Sequence, residues 1–456
     1  MILDRLQTDF SIIPRRVHGA WLVIFSLVQL CVPVQVMAIA PNPARPQAAP
    51  VAIVGGTIHL ANGETSIVGS VSFDNGRITA VGPEVVLPSG GERIDATGKH
   101  VYPAMINAYS QIGLVEIDAV RATLDMRETG DLNPNVESRK AVNPDSELIP
   151  VARSNGVLLA LTAPTGGLIS GQSSVVRLDG WTWEDMTLAP NAAMHVRWPR
   201  PQVNRDWWKP PADQPEDFDK RRLEKLDAID QAFEDARAYL ESRKHHGPDQ
   251  AIDARWEAMR GLLAGHQPMV VHADDLQSIQ EAVALAQSQE VRLIIHGGYD
   301  AADAAELLKQ HEVPVIVDGV YRLPRRRHEA YDKSYTLPER LRQAGVKYCI
   351  AVSQRFAASN DRNLPYHAGT AAAYGLSPDE ALRAITFYPA EILGISDQVG
   401  SLDLGKEATL FIADGDILDT PTQVERAFVR GGEIDLSNRH KRLHEKYRER
   451  LNRERN

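Results

Sequence analysis

A rhythm of short apolar runs and helix-like segments constrains this chain more than any single motif. Val157–Thr162, Met269–His272, Arg292–His296, Val313–Val317 and Val346–Val352 are apolar runs of strand length. Leu276–Gln287, Ala301–Gln310 and Pro338–Ala344 fall between them with helical spacing. Strands that read as near-continuous apolar runs are those buried on both faces, as in parallel sheets covered by helices. Repeated strand–helix units over residues 101–397 predict an α/β fold, a (β/α)8 TIM barrel ahead of a doubly wound open sheet.

The flanks read differently. Val51–Val54, Ile58–Leu60, Ile67–Phe73 and Arg77–Val81 are short strands punctuated by Gly55-Gly56, Asn62-Gly63 and Asn75-Gly76. Asn-Gly between apolar runs is a hairpin signal. Thr409–Ala413 and Val424–Val429, with Arg430-Gly431-Gly432, repeat the pattern near the other end. Two all-β pieces around a long α/β middle predict one small β-sandwich built from both termini, residues 51–100 with 398–435. The stretch His100–Leu114 joins the two regions as a strand running into a small-residue turn. Residues two apart on a strand share a face, so Tyr109 and Gln111 look into one space, which in a parallel barrel is the mouth.

Residues 1–40 stand outside this fold. Arg15 and Arg16 precede the apolar run Gly19–Val36, which ends in Val36-Met37-Ala38-Ile39-Ala40. A basic start, an apolar stretch and small-x-small cleavage options predict a cleaved signal peptide and a periplasmic or secreted protein, with an uncleaved membrane anchor as the lesser alternative. Cleavage would leave Cys349 as the sole cysteine and so no intramolecular disulfide. The net charge of −10 argues against a broad nucleic-acid-binding surface. Trp207–Met259 is charged, with Phe218, Leu223, Leu226, Ile229, Phe233 and Leu240 mostly three or four apart, which predicts an amphipathic helix broken at His245-His246-Gly247-Pro248. Residues 436–456, rich in Arg, Lys and Glu, predict a charged terminal helix with Leu443, Tyr447 and Leu451 on one side.

Six stretches carry a family resemblance. They are Val101–Ala108, Gly166–Ser173, Val270-Val271-His272-Ala273-Asp274, Leu293-Ile294-Ile295-His296-Gly297, Ser377–Thr386 with Pro389–Gly394, and Val399–Lys406. In their order and spacing the chain resembles the amidohydrolase superfamily, in its imidazolonepropionase- and prolidase-like branch. The resemblance implies a barrel whose first strand is Val101–Ala108, a loop at Gly166–Ser173, and strands five and six at Val270–Asp274 and Leu293–Gly297. It also implies hydrolysis of carbon–nitrogen bonds in amides, cyclic amides or dipeptides, with one or two divalent metals activating water at the barrel mouth.

The family's ligands are a His-x-His pair after strand one, a His on each of strands five and six, and an Asp after strand eight; some members add a Lys or Glu on strand four. Here the pair falls on Tyr109-Ser110-Gln111 and the Asp on Ser353, with Asn107 two residues before the pair; His272 and His296 remain. Two histidines fall short of the three protein ligands of catalytic zinc. The site is therefore expected to be incomplete, holding one divalent metal, zinc, weakly or not at all, with Asn107, Tyr109, Gln111, Asp274, Asp318 and Ser353 lining the pocket. Asp318, after Val313–Val317, is placed to compensate. Asp274 and Asp275 are read as imidazole orienters or helix starters, Arg325-Arg326-Arg327 as an anion-steering cluster or a solvated loop, and His195, His311, His328 and His367 as structural or surface residues. Two functions remain. One is an exported hydrolase with an altered metal site, acting on a small amide or cyclic amide. The other is an inactive barrel that binds, forms a homo-oligomer, or serves as partner subunit to a metal-complete paralogue.

Overall fold

The stretch that begins at His100 is two strands in two sheets. His100–Pro103 (β5) belongs to the terminal sheet, and Met105–Ser110 (β6) opens the barrel. The chain changes sheets at Ala104, whose N–H donates to Thr409 O at 3.0 Å. The computed structural model describes residues 41–86, 90–201, 215–246, 251–352 and 357–455. The expected signal segment, Trp207, Trp208, Gly247-Pro248 and Ser353 lie outside them. No described helix is long and apolar enough to cross a membrane.

The terminal sheet interleaves strands from both ends. Val51–Ile58 (β1), Ile67–Asp74 (β2), Arg77–Gly82 (β3) and Glu92–Asp95 (β4) come from one side, and Leu410–Ala413 (β14), Val424–Val429 (β15) and Gly432–Glu433 (β16) from the other. Their order is β16-β15-β14-β5-β1-β2-β3, with β4 beside β1. The expected break at Gly55-Gly56 is a bulge inside one continuous strand, where the register shifts between Val54 and Gly56 and Gly55 takes a φ of 77°. Ile53, Ile58, Val71, Phe73, Leu410 and Phe428 form a core of their own.

The second sheet runs β6, Val157–Thr162 (β7), Ile169–Arg177 (β8), Thr187–Arg197 (β9), Met269–Ala273 (β10), Leu293–Gly297 (β11), Val315–Asp318 (β12) and Tyr348–Ala351 (β13), each paired with the next. It curls until β13 lies against β6, a nearly closed eight-stranded barrel rather than the open sheet. Two details depart from the simple expectation. Ile169–Ser173, read as loop, is the start of β8, and β8 runs antiparallel to both β7 and β9. The run from β7 to β9 therefore turns back on itself twice, and only one helical turn, Trp183–Met186, intervenes. From β9 onward the strands are parallel, with helices Pro215–His246, Leu276–Ser288 and Leu337–Ala344 among the covering elements.

The helix Pro215–His246 buries Ile229, Ala232, Phe233, Ala236 and Tyr239, while Leu223, expected on the packed face, is exposed. Its apolar packing runs from Leu226 to Tyr239, not over its whole length.

The seam between first and last strands is closed by side chains and an intervening loop. Asn107 Nδ2 donates to Val352 O at 3.1 Å, and Val352 N donates to Asn107 Oδ1 at 3.0 Å. A carboxamide thus copies the donor–acceptor pair that a strand would present. Ile106 N donates to Ile385 O and Ile350 N to Ala384 O, so the 384–385 backbone is wedged into the same gap. Beneath it the fully buried Asp361 accepts from Asn107 Nδ2 at 2.9 Å and from Ser110 Oγ at 2.5 Å. Burial holds this carboxyl well above the usual carboxylate range, and its two donors pull only partly back.

Candidate functional site

Strand register sets the chemistry of the mouth. His272 pairs with His296 on one side and with Arg197 on the other, so these three residues stand level across β9, β10 and β11. Asp318 ends β12. His195 pairs with Val270, two residues below His272, so its imidazole lies deeper in the barrel and is fully buried. His195 Nδ1 and His272 Nε2 are 3.1 Å apart, which makes one ring the donor to the other. His195 Nε2 is buried with no hydrogen-bond partner among the described residues.

Tyr109 enters from β6 and packs against all three rings, its centroid 4.1 Å from that of His296, 5.1 Å from His272 and 5.7 Å from His195. Burial drives every member toward its neutral form. It lowers His195 to about 3 and, with His296 and His195 adding to it, holds His272 well below the usual imidazole range. Burial also lowers His296 against the opposing pull of Asp318 and Asp274, and it raises the Tyr109 phenol. At neutral pH the cluster is three uncharged imidazoles around an uncharged phenol.

The charges sit above it. A cleft of about 640 Å³ opens at the C-terminal ends of β9 to β12, lined by Arg197, Arg200, His272, Asp274, His296 and Asp318 among others. Asp274 is held by Arg322 at 2.9 Å and Arg325 at 2.5 Å, and these arginines outweigh its burial to keep it a carboxylate. Gly297 makes this possible: it takes a φ of 104°, and a Cβ there would stand 2.8 Å from Asp274 Oδ1. Asp275 caps the helix Leu276–Ser288 by accepting from Ser278 N at 3.0 Å. Arg326 is tied to Asp300 and Glu329. Arg197 and Arg200 form no ion pair among the described residues.

The structure thus brings Tyr109, His272, His296, Asp274 and Asp318 into one neighbourhood. Asn107, expected to line the pocket, is fully buried in the barrel seam instead, because its amide is spent on Val352 and Asp361. Gln111 is half-buried beside the Tyr109 hydroxyl, Nε2 to oxygen 3.5 Å, and is not part of the cleft wall. Ser353 lies outside the described residues. His367, read as structural or surface, is buried, its Nδ1 accepting from Val320 N at 3.0 Å.

His195, read as structural or surface, is buried against His272 as part of this cluster. Its strand, Thr187-Leu188-Ala189-Pro190-Asn191-Ala192-Ala193-Met194-His195-Val196-Arg197, is interrupted by Pro190 and Asn191 and does not read as an apolar run. The available signal was the two-residue spacing of His195 and Arg197 at its end.

Among the described residues, no group of three or more His, Cys, Asp or Glu side chains is set to hold a metal ion. Locally, Tyr109 and Gln111 supply a phenol and a carboxamide, and His272 Nε2 faces another imidazole.

Residues 259–433 match the family described as the amidohydrolase family. The imidazolonepropionase of Mesorhizobium japonicum is 33% identical over 149 residues, which cover 32% of this chain and 35% of that protein. The chain thus spans about a third of the length of such curated relatives. Among solved structures, an amidohydrolase from Thermotoga maritima MSB8 superposes with a TM-score of 0.74 at 22% identity, over 84% of this chain and 99% of that one. A prolidase in complex with N-methylphosphonate-L-proline gives a TM-score of 0.53 at 17% identity, over 85% and 99%. Residues 259–433 thus carry the amidohydrolase family's sequence pattern, and the chain as a whole shares the fold of solved amidohydrolases.

Proposed function

We propose that this protein takes a small anionic amide or cyclic amide into its barrel mouth and acts there as a hydrolase with an altered, metal-poor site. The observation that carries the reading is the level row Arg197–His272–His296 under a cleft that also holds Arg200. Two guanidiniums without carboxylate partners suit an anionic group, and charge-assisted hydrogen bonds to such a group are the strong ones. The neutral imidazoles below offer donors and acceptors to an amide without repelling the arginines.

The metal implied by the family does not fit the described residues, so the chemistry is left to the chain's own groups. In a turnover, Asp318 is the carboxylate that would take a proton from an attacking water and pass that proton to the leaving nitrogen, while the neutral His296 would serve only as a hydrogen-bond donor to the amide.

The second reading, a non-catalytic barrel that binds or partners a metal-complete paralogue, is favoured by one observation: the Tyr109 ring packs against both His272 and His296, whose own ring centroids are 4.6 Å apart. One set of measurements separates the two. Purified protein is assayed for metal by mass spectrometry, for turnover of glycyl-proline and pyroglutamate, and for binding of both by calorimetry. Turnover that is unaffected by chelator and abolished in Asp318→Ala supports the hydrolase. Binding without turnover supports the second reading. Arg197→Ala is expected to weaken binding by about tenfold or more. Stoichiometric zinc with chelator-sensitive turnover would overturn the metal-poor site. Export through residues 1–40 belongs to the same proposal, and the mass of the mature N-terminus after periplasmic extraction tests it.

A further inference from the structure

Among the described residues, the helix Arg439–Arg455 is held only at its start. Asn438 Oδ1 caps it by accepting from Lys441 N at 3.0 Å, Arg362 meets His440 Nδ1 at 3.0 Å, and Arg442 approaches Glu147 at 3.7 Å. From Leu443 to Glu454 every side chain is exposed. Leu443, Tyr447 and Leu451 are 39%, 54% and 58% exposed and recur every four residues, so they form a narrow apolar stripe along one side. Around that stripe the helix carries eight Lys and Arg against three Glu, in a chain whose net charge is −10. Two glutamates are already taken by Arg450 and Arg453 within the helix.

A helix this short gains little stability on its own in water and ordinarily owes it to an apolar face packed on something. Nothing in the described fold packs on this one beyond its first turn. Charge selects the occupant. Pairing with the same helix of a second copy would set eight cations against eight, whereas an anionic lipid surface neutralises them. Leu and Tyr can then enter the headgroup region while Lys and Arg extend their stems past the stripe to the phosphates. We propose that the helix Arg439–Arg455 docks the protein on anionic phospholipid membranes, with Leu443, Tyr447 and Leu451 as the inserted face.

The test is co-sedimentation of the full chain with vesicles of phosphatidylcholine alone and of phosphatidylcholine with one quarter phosphatidylglycerol. The parent is compared with Leu443→Ala/Tyr447→Ala/Leu451→Ala and with Lys446→Glu/Arg448→Glu. The expected result is binding to the anionic vesicles at least about tenfold above the neutral ones, lost at 0.5 M salt and lost in both variants. Unchanged melting of the variants would show that the rest of the molecule is intact. Equal binding to both lipids, or variants that bind like the parent because residues 1–40 carry the attachment, would overturn the proposal. So would no vesicle binding at all, including the case in which the helix is found to recognise an acidic protein instead.

Discussion

The two halves of the barrel are built differently. From β10 to β13 the strands are parallel, and His272, His296 and Asp318 stand at their ends. From β6 to β9 the sheet reverses twice, buried polar residues such as Gln172 and Ser173 lie among its apolar ones, and Tyr109 and Gln111 stand at the end of its first strand. The family match, residues 259–433, covers the first of these halves and not the second. One barrel thus combines a regular parallel half with a half of different geometry and chemistry.

The comparison breaks most directly at the seam. Asn107→Ala would leave the Val352 N–H and C=O without partners and remove a donor from Asp361. Each buried unsatisfied group costs about 1–3 kcal/mol, so a loss of about 4 kcal/mol is expected in urea denaturation. A loss under about 1 kcal/mol would mean that side chains do not close the irregular half.

Both halves contain a neutral buried imidazole, which gives a second, smaller effect. Burial lowers His367 to about 4, with Asp318 opposing, against an unfolded value near 6.5. Below that unfolded value the unfolded chain binds more protons. The contribution is therefore complete above about pH 6.5 and falls away as pH drops toward 4, by about 2 kcal/mol at pH 5. His367→Gln should show a shallower decline in melting temperature between pH 7.5 and 5 than the parent does. Equal slopes would move the effect to other histidines, His195 first.

In the regular half, Ile316→Val shaves one methylene from a fully buried strand and is expected to cost about 1 kcal/mol by the same denaturation measurement. If it costs as much as Asn107→Ala, ordinary packing governs both halves alike. Leu223→Gln, on the exposed part of the helix Pro215–His246, should stay within about 0.5 kcal/mol of the parent. A larger loss would show that the helix packs at Leu223 as well.

The legibility of the sequence follows the same division. β7, β10, β11, β12 and β13 announced themselves because buried parallel strands must be apolar on both faces. β8 and β9 did not, since a hairpin interior tolerates polar residues whose bonds are met locally. Gln172 Nε2 donates to Pro134 O at 3.1 Å and Ser173 Oγ to Ala193 O at 3.3 Å. With β9 hidden, His195 had no place to be assigned. Asp361 was invisible for a related reason: Asn360-Asp361-Arg362-Asn363 has the composition of a surface loop, and only the fold turns it inward to Asn107 and Ser110. His272 and His296 were found because each ends an apolar run. Asn107 was misplaced because strand alternation gives a side, not the neighbour that claims the amide.

The reversal of β8 also separates the chain's connections by end. The link from β8 to β9 turns at the end of the barrel opposite the cleft, and there Trp181 and Thr182 are exposed. Cutting between them would give two fragments joined by the β8–β9 ladder, the Asn107 seam and the β5–β14 pairing, with the mouth undisturbed on the far side. That turn is where the gene could be divided to report, by reassembly, on whether two proteins of interest meet.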